Sequence, residues 1–231
     1  MNDISRDEVF GRIAIAQNNM IDFGIDALFI CTEAEFFYFT GFRTQFWQSP
    51  ARPWFLVIPA KKSPIAIIPE IGLHLFKTCG FKQVITWPSP RPRDEGISDL
   101  IKILKKFHSI GLSMGPESSL RMPLNDLLML QSQVGSEWRD ATPIIRKQRM
   151  IKSKNEIKFI KKICNIGGLA FSKVPKFASS GDSLISISKQ FTKKLLDFGA
   201  DYVPYLAAAA GHAGYCDIIS PPNEKKVETG D

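Results

Sequence analysis

Between Arg43 and Trp54 the chain reads Arg-Thr-Gln-Phe-Trp-Gln-Ser-Pro-Ala-Arg-Pro-Trp, two guanidinium groups and three large aromatics in one proline-containing loop. Arginine with aromatic neighbours and few aliphatics is the chemistry of a recognition surface, suited to a partner subunit or to a substrate anion. Arg43, Trp47, Arg52 and Trp54 are therefore candidate substrate-facing or interface residues; ordinary loop packing is the competing account of Phe46 and Trp54. His212, in a Gly/Ala-rich loop, and Asp217 are the other candidates. His74 lies in an apolar helix and reads as a packed or surface residue, and His108 ends a Lys-rich helix, where a cation suits the dipole.

Nucleophilic chemistry is poorly served. Cys31 closes an apolar strand and Cys164 falls on the inward face of a helix, so both read as small hydrophobes. The sequence contains no Gly-x-Ser-x-Gly elbow, phosphate-binding glycine loop or dinucleotide fingerprint. No residue is assigned a catalytic, cofactor-binding or metal-ligating role.

The elements that must position these residues alternate. Ser5-x-x-Glu8 is a capping-box pattern, followed at helical spacing by Val9, Ile13, Ala16 and Met20 up to Phe23-Gly24. Strands are expected at 25–30, 54–58, 64–68, 83–87 and 110–113, with a hairpin turn at 59–63. Helices are expected at 72–79, 97–107 and 120–131, which gives the rhythm of an α/β domain with a mixed sheet flanked by helices over residues 1–141. A second region, 142–231, has a capping box at Ser153-x-x-Glu156 ahead of an inward stripe of Ile157, Ile160, Cys164, Gly167, Phe171 and Val174. Asp182 or Ser183 caps a further helix whose stripe is Leu184, Ile187, Phe191, Leu195 and Phe198. Strand-like segments at 203–210 and 214–220 then lead to Thr229-Gly230-Asp231, a turn that normally feeds another strand, so this second domain reads as incomplete.

The chain has 231 residues, 44% hydrophobic and 23% charged, which excludes global disorder. No apolar stretch is long enough for a membrane span and the N-terminus is polar, so no membrane association is expected. Four scattered cysteines without a Cys-x-x-Cys pair fit reduced thiols in the cytoplasm. The net charge of +7 is dispersed; the Lys-rich 146–162 stretch reads as a solvated helix face, and no nucleic-acid partner is expected.

Tyr38-Phe39-Thr40-Gly41-Phe42 resembles the Tyr-Leu-Thr-Gly-Phe segment in the N-terminal domain of creatinase, prolidase and aminopeptidase P relatives. Arg149-x-x-Lys152-Ser153-x-x-Glu156-Ile157, with Ala170-Phe171 downstream, resembles the entry to their catalytic pita-bread domain. Pro222-x-x-x-x-Val227-x-x-Gly230-Asp231 is similar to the turn before that domain's first metal-binding strand. The resemblance implies a creatinase-like N-terminal domain followed by an incomplete α+β pita-bread domain. It implies a parent enzyme that hydrolyses a C–N bond of an Xaa-Pro peptide or small amide with two divalent metal ions (Mn, Co, Zn or Fe). By the same resemblance this chain stops before all five metal ligands, carries no metal itself, and is inactive alone. It also implies a homodimer formed through the N-terminal domain, with the 43–54 loop as its interface or as a lip of the partner's pocket.

One position departs from that pattern: Ile219 stands where relatives place a substrate-contacting histidine. Residues 214–222 also resemble the equivalent segment of dimethylsulfoniopropionate lyases built on this fold, which is the alternative activity. A non-enzymatic dimerisation or binding module is the alternative of a different class.

Overall fold

The computed structural model describes residues 4–49, 52–212, 214–215 and 219–231. They form two compact units, Met1–Ile151 and Lys152–Asp231.

In the first unit the sequence sets a sheet between two helical layers. Its strands are β1 (Ala27–Ile30), β2 (Phe55–Pro59), β3 (Ile65–Pro69), β4 (Gln83–Trp87), β5 (Ser109–Leu112) and β6 (Glu137–Asp140), in the order β4-β3-β2-β1-β5-β6. The β1/β2 and β2/β3 pairs are antiparallel, and β3/β4, β1/β5 and β5/β6 are parallel, so the sheet is mixed as expected. Strands β1, β2 and β3 are buried along their whole length, which explains why they read as continuous apolar runs. Alternation then sends Leu28 and Ile30 to one core and Ala27 and Phe29 to the other.

The first core lies under α1 (Arg6–Asp22), α2 (Glu33–Thr40), α3 (Leu73–Phe76) and α6 (Thr142–Met150). The Ser5 hydroxyl accepts from the Glu8 amide at 3.2 Å, and the expected Val9, Ile13, Ala16 and Met20 stripe is buried. Arg12 is buried on the same helix, and its charge is satisfied by Glu8 at 2.8 Å, by the Tyr38 carbonyl at 3.0 Å and by the Tyr38 ring. The second core lies under α4 (Ile97–Leu104) and α5 (Leu124–Val134). The first unit extends through α6 to Ile151, beyond residue 141, because Ile144 and Ile145 join the first core and Gln148 donates to the Arg12 carbonyl at 2.7 Å.

The second unit contains α7 (Lys154–Phe171) and α8 (Leu184–Asp197). The capping box forms as expected: Ser153 Oγ accepts from the Glu156 amide at 3.1 Å and the Ser153 amide donates to Glu156 Oε2 at 2.8 Å. Ser183 caps α8. Two expectations need correction. The α7 stripe is rotated: Ile166 and Ala170 are buried, whereas Ile157, Ile160, Cys164 and Phe171 are exposed. The segment 203–210 is not a strand, because a strand requires a bonded neighbour and the described residues of this unit supply only the isolated Ser183–Lys226 bridge. Among the described residues no helix is long and apolar enough to cross a membrane.

Candidate functional site at the carboxyl edge of the central strands

Strand β1 ends at Ile30 opposite Leu56 of β2, and β5 runs parallel to it, so Cys31, Trp54 and Ser113 emerge at one edge of the sheet. The carboxyl edge of parallel strands is where open α/β sheets present their binding loops. The loop from Phe42 to Trp54 begins at this edge because α2 is cut short. Gly41 takes a left-handed φ of 69°, and Thr40 Oγ1 donates back to the Phe36 carbonyl at 2.6 Å while accepting from the Phe42 amide at 3.0 Å. This turn gives the Tyr-Phe-Thr-Gly-Phe segment its local physical meaning.

The loop then folds inward on its aromatics. Thr44 caps a single 3-10 turn, Gln45–Gln48, through the Phe46 amide. Trp47 and Trp54 are only 5% and 1% exposed. Their ring centroids stand 6.2 Å apart, with Phe36 at 5.5 Å from Trp47 and Phe42 at 5.0 Å from Trp54. Gly72 completes the box, since a β-carbon there would lie 2.1 Å from the Trp54 ring. The indoles that the sequence placed on a recognition surface are thus core, because Phe36 and Gly72, from outside the loop, close over them. Neither indole N–H has a hydrogen-bond partner.

The two arginines of the loop stay outside. Arg43 is exposed, its guanidinium 5.8 Å from the Phe37 ring centroid, and half-buried Arg52 stands 5.5 Å from that of Phe46. Arg52 also helps hold the Glu95 carboxyl below the usual range. Burial pushes Glu95 up, but hydrogen bonds from Trp87 Nε1 at 2.9 Å, the Arg91 amide at 2.6 Å and Ser89 Oγ at 2.8 Å outweigh it. The loop thus offers two cations on an aromatic platform, able to pair with a carboxylate or with an acidic surface.

Three residues at this edge escaped the sequence analysis. Buried Glu35 accepts from Ser113 Oγ at 2.6 Å. Arg121 donates through Nη2 to the Trp47 carbonyl at 2.6 Å and to the Ser49 carbonyl, and its guanidinium lies 5.0 Å from the Trp47 ring centroid. Burial lowers the Arg121 pKa, while Glu33 and Cys31 pull it back up. Cys31 is inert for the opposite reason: burial, aided by the Glu35 charge, pushes its thiol up to about 12 despite a hydrogen bond from the Arg121 amide. Nothing in the local sequence marks Arg121, whose partners lie 74 and 72 residues away.

In the second unit His212 is exposed, its Nδ1 3.1 Å from where a β-carbon on Gly230 would stand. A cavity of about 330 Å³ opens beside Leu184, Ala208, Gly211, Tyr215, Asn223 and Lys225. Asp217 lies outside the described residues. His74 and His108 are exposed in the first unit.

A family model described as the Creatinase/Prolidase N-terminal domain matches residues 12–151. The chain belongs to the creatinase/prolidase N-terminal domain family. Probable dipeptidase PepE of Mycobacterium bovis, and the protein of the same name in Mycobacterium tuberculosis, are each 23% identical over 221 residues, which is 91% of this chain and 56% of theirs. The chain therefore spans about half the length of the curated relatives it matches. Among solved structures, dipeptidase PepE of Mycobacterium ulcerans superposes with a TM-score of 0.78 at 20% identity, covering 98% of this chain and 59% of that one. An Xaa-Pro dipeptidase of Bacillus anthracis gives 0.74 at 17% identity, covering 96% and 58%. These creatinase/prolidase likenesses carry the fold. The two metal ions implied by the resemblance find no fit here: among the described residues no three His, Cys, Asp or Glu side chains are grouped to hold one.

Proposed function

We propose that this chain is the amino-terminal portion of a hydrolase of the prolidase/creatinase type, which cleaves the C–N bond of an Xaa-Pro peptide or small amide. The family match over residues 12–151 carries this reading, and the naming of the mycobacterial relatives as dipeptidases supports it. In this reading the metal ions of that chemistry are held elsewhere in the parent enzyme, and the 231-residue chain is inactive by itself. The test is calorimetric titration with Mn²⁺ alongside an Xaa-Pro dipeptide assay. The expected result is neither stoichiometric binding nor turnover by this chain, with turnover by the product of the gene read beyond codon 231. Two tightly bound Mn²⁺ ions and turnover by the 231-residue chain would overturn the proposal.

The role of the first unit in this reading is to pair subunits in a homodimer through the 43–54 loop. Outward guanidinium groups on a packed aromatic base support it, since they are preformed and cost little conformational entropy to dock. Sedimentation velocity on Arg43→Glu/Arg52→Glu should show a dimer shifted toward monomer. An unchanged dimer would remove the loop from the interface.

A further inference from the structure

We propose that Arg121 is a positioning residue, a latch that fixes the 43–54 loop and so the direction in which Arg43 and Arg52 are presented. This inference rests on the dimer-face reading of the loop.

The loop has few polar anchors of its own. Both indole N–H groups are unpartnered, the Thr44 cap serves only the turn that follows it, and the Ser49 amide bonds back to Phe46 within the same turn. Apolar packing holds the two indoles, and among the described residues of the loop Arg121 supplies a polar tie from outside it, at Trp47 and Ser49. One guanidinium nitrogen of Arg121 donates to two loop carbonyls, those of Trp47 and Ser49, while the group stands 5.0 Å from the Trp47 ring centroid. That combination needs a flat, delocalised cation; a lysine ammonium donates from a point and stacks poorly. Glu33, at the start of α2, also attracts the Arg121 charge against the cost of its burial. The latch therefore ties the loop to the carboxyl edge of the central strands, between the two arginines that would meet the partner.

The test compares Arg121→Ala and Arg121→Lys with the Arg43→Glu/Arg52→Glu chain by three readouts: dimer dissociation constant, amide hydrogen exchange, and urea midpoint. In Arg121→Ala, exchange should accelerate at Trp47, Gln48 and Ser49 and stay unchanged in β1 and β5. The dimer constant should weaken about tenfold, the worth of one or two side chains that must then be ordered on binding. Added methylguanidinium should restore part of both effects, which a general loss of stability would not allow. Arg121→Lys keeps the charge, and so serves if the alanine chain fails to fold; it should recover less than half of the lost affinity. Unchanged loop exchange in both variants would overturn the latch, whatever the dimer does. Loosened exchange with an unchanged dimer would sever the latch from the interface. If the Arg43/Arg52 variant dimerises normally while Arg121→Ala still loosens the loop, it is the dimer-face reading that fails.

Discussion

Replacing Gly72 by alanine would place a methyl group where the Trp54 ring already stands. A β-carbon there would lie 2.1 Å from Cη2 and 2.5 Å from Cζ3 of Trp54, far inside the ~3.5–4.0 Å of a favourable carbon contact. The backbone at Gly72, φ −88° and ψ −9°, suits any residue, so the ring is the sole obstacle. Without it, alanine would stabilise by roughly 0.4–1 kcal/mol through the less flexible unfolded chain. The ring cannot retreat, being 1% exposed and hemmed in by Phe36, Phe42 and Trp47. Overpacking at such a place costs about 1–3 kcal/mol, so Gly72→Ala should destabilise by a net ~1–2 kcal/mol. All the clashing atoms belong to the six-membered half of the indole, and Trp54→Phe takes them away. In that background Gly72→Ala should be neutral or stabilising, a coupling of about 1 kcal/mol or more. Urea unfolding followed by far-UV circular dichroism measures all four chains of this cycle. A stabilised Gly72→Ala single variant, or strictly additive costs, would refute the reasoning that the glycine exists to seat the tryptophan.

Two further outcomes are expected. The Glu95 carboxyl is held low in the fold, so its contribution is present above the ordinary carboxylate value of about 4.3 and drains away as pH falls through the depressed value. Glu95→Gln should lower the thermal midpoint at neutral pH and flatten its acid limb; parallel pH profiles for the two chains would contradict this. Cys164 is exposed whereas Cys31 and Cys79 are buried with raised thiol pKa values. Alkylation followed by peptide mapping should therefore mark Cys164 in the native chain, and Cys31 and Cys79 only on unfolding; early labelling of Cys31 would contradict its packing.

The central strands were legible because burial on both faces leaves an unbroken apolar run, and β4 emerged with the boundaries expected of it. Strand β6 was not, since Glu137-Trp138-Arg139-Asp140 is an edge strand with half its positions in solvent and carries no apolar pattern. The helix α7 shows a different limit. Its sequence holds two apolar stripes, one through Ile157, Ile160, Cys164 and Phe171 and another through Phe159, Ile166 and Ala170, and periodicity alone cannot choose between them. The loop at 43–54 was found for its composition, but composition could not sort it. Its tryptophans pack on Phe36 and Trp54 lies against Gly72, and Arg121 holds its backbone, contacts made by folding rather than by immediate neighbours in sequence.

The strand order also dictates how the sheet can be assembled as the polypeptide leaves the ribosome. β1 to β4 follow one another as neighbours, so that half can zip together from local contacts. The opposite flank of β1 must wait for β5, some eighty residues later, and long loop closures of this kind are slow. During that interval an entirely apolar strand presents an open row of amides and carbonyls, the template on which nascent chains cross-pair. Synthesis slowed between residues 60 and 110 would lengthen that exposure. Completion of the sheet on that side of β1 therefore depends on the arrival of β5.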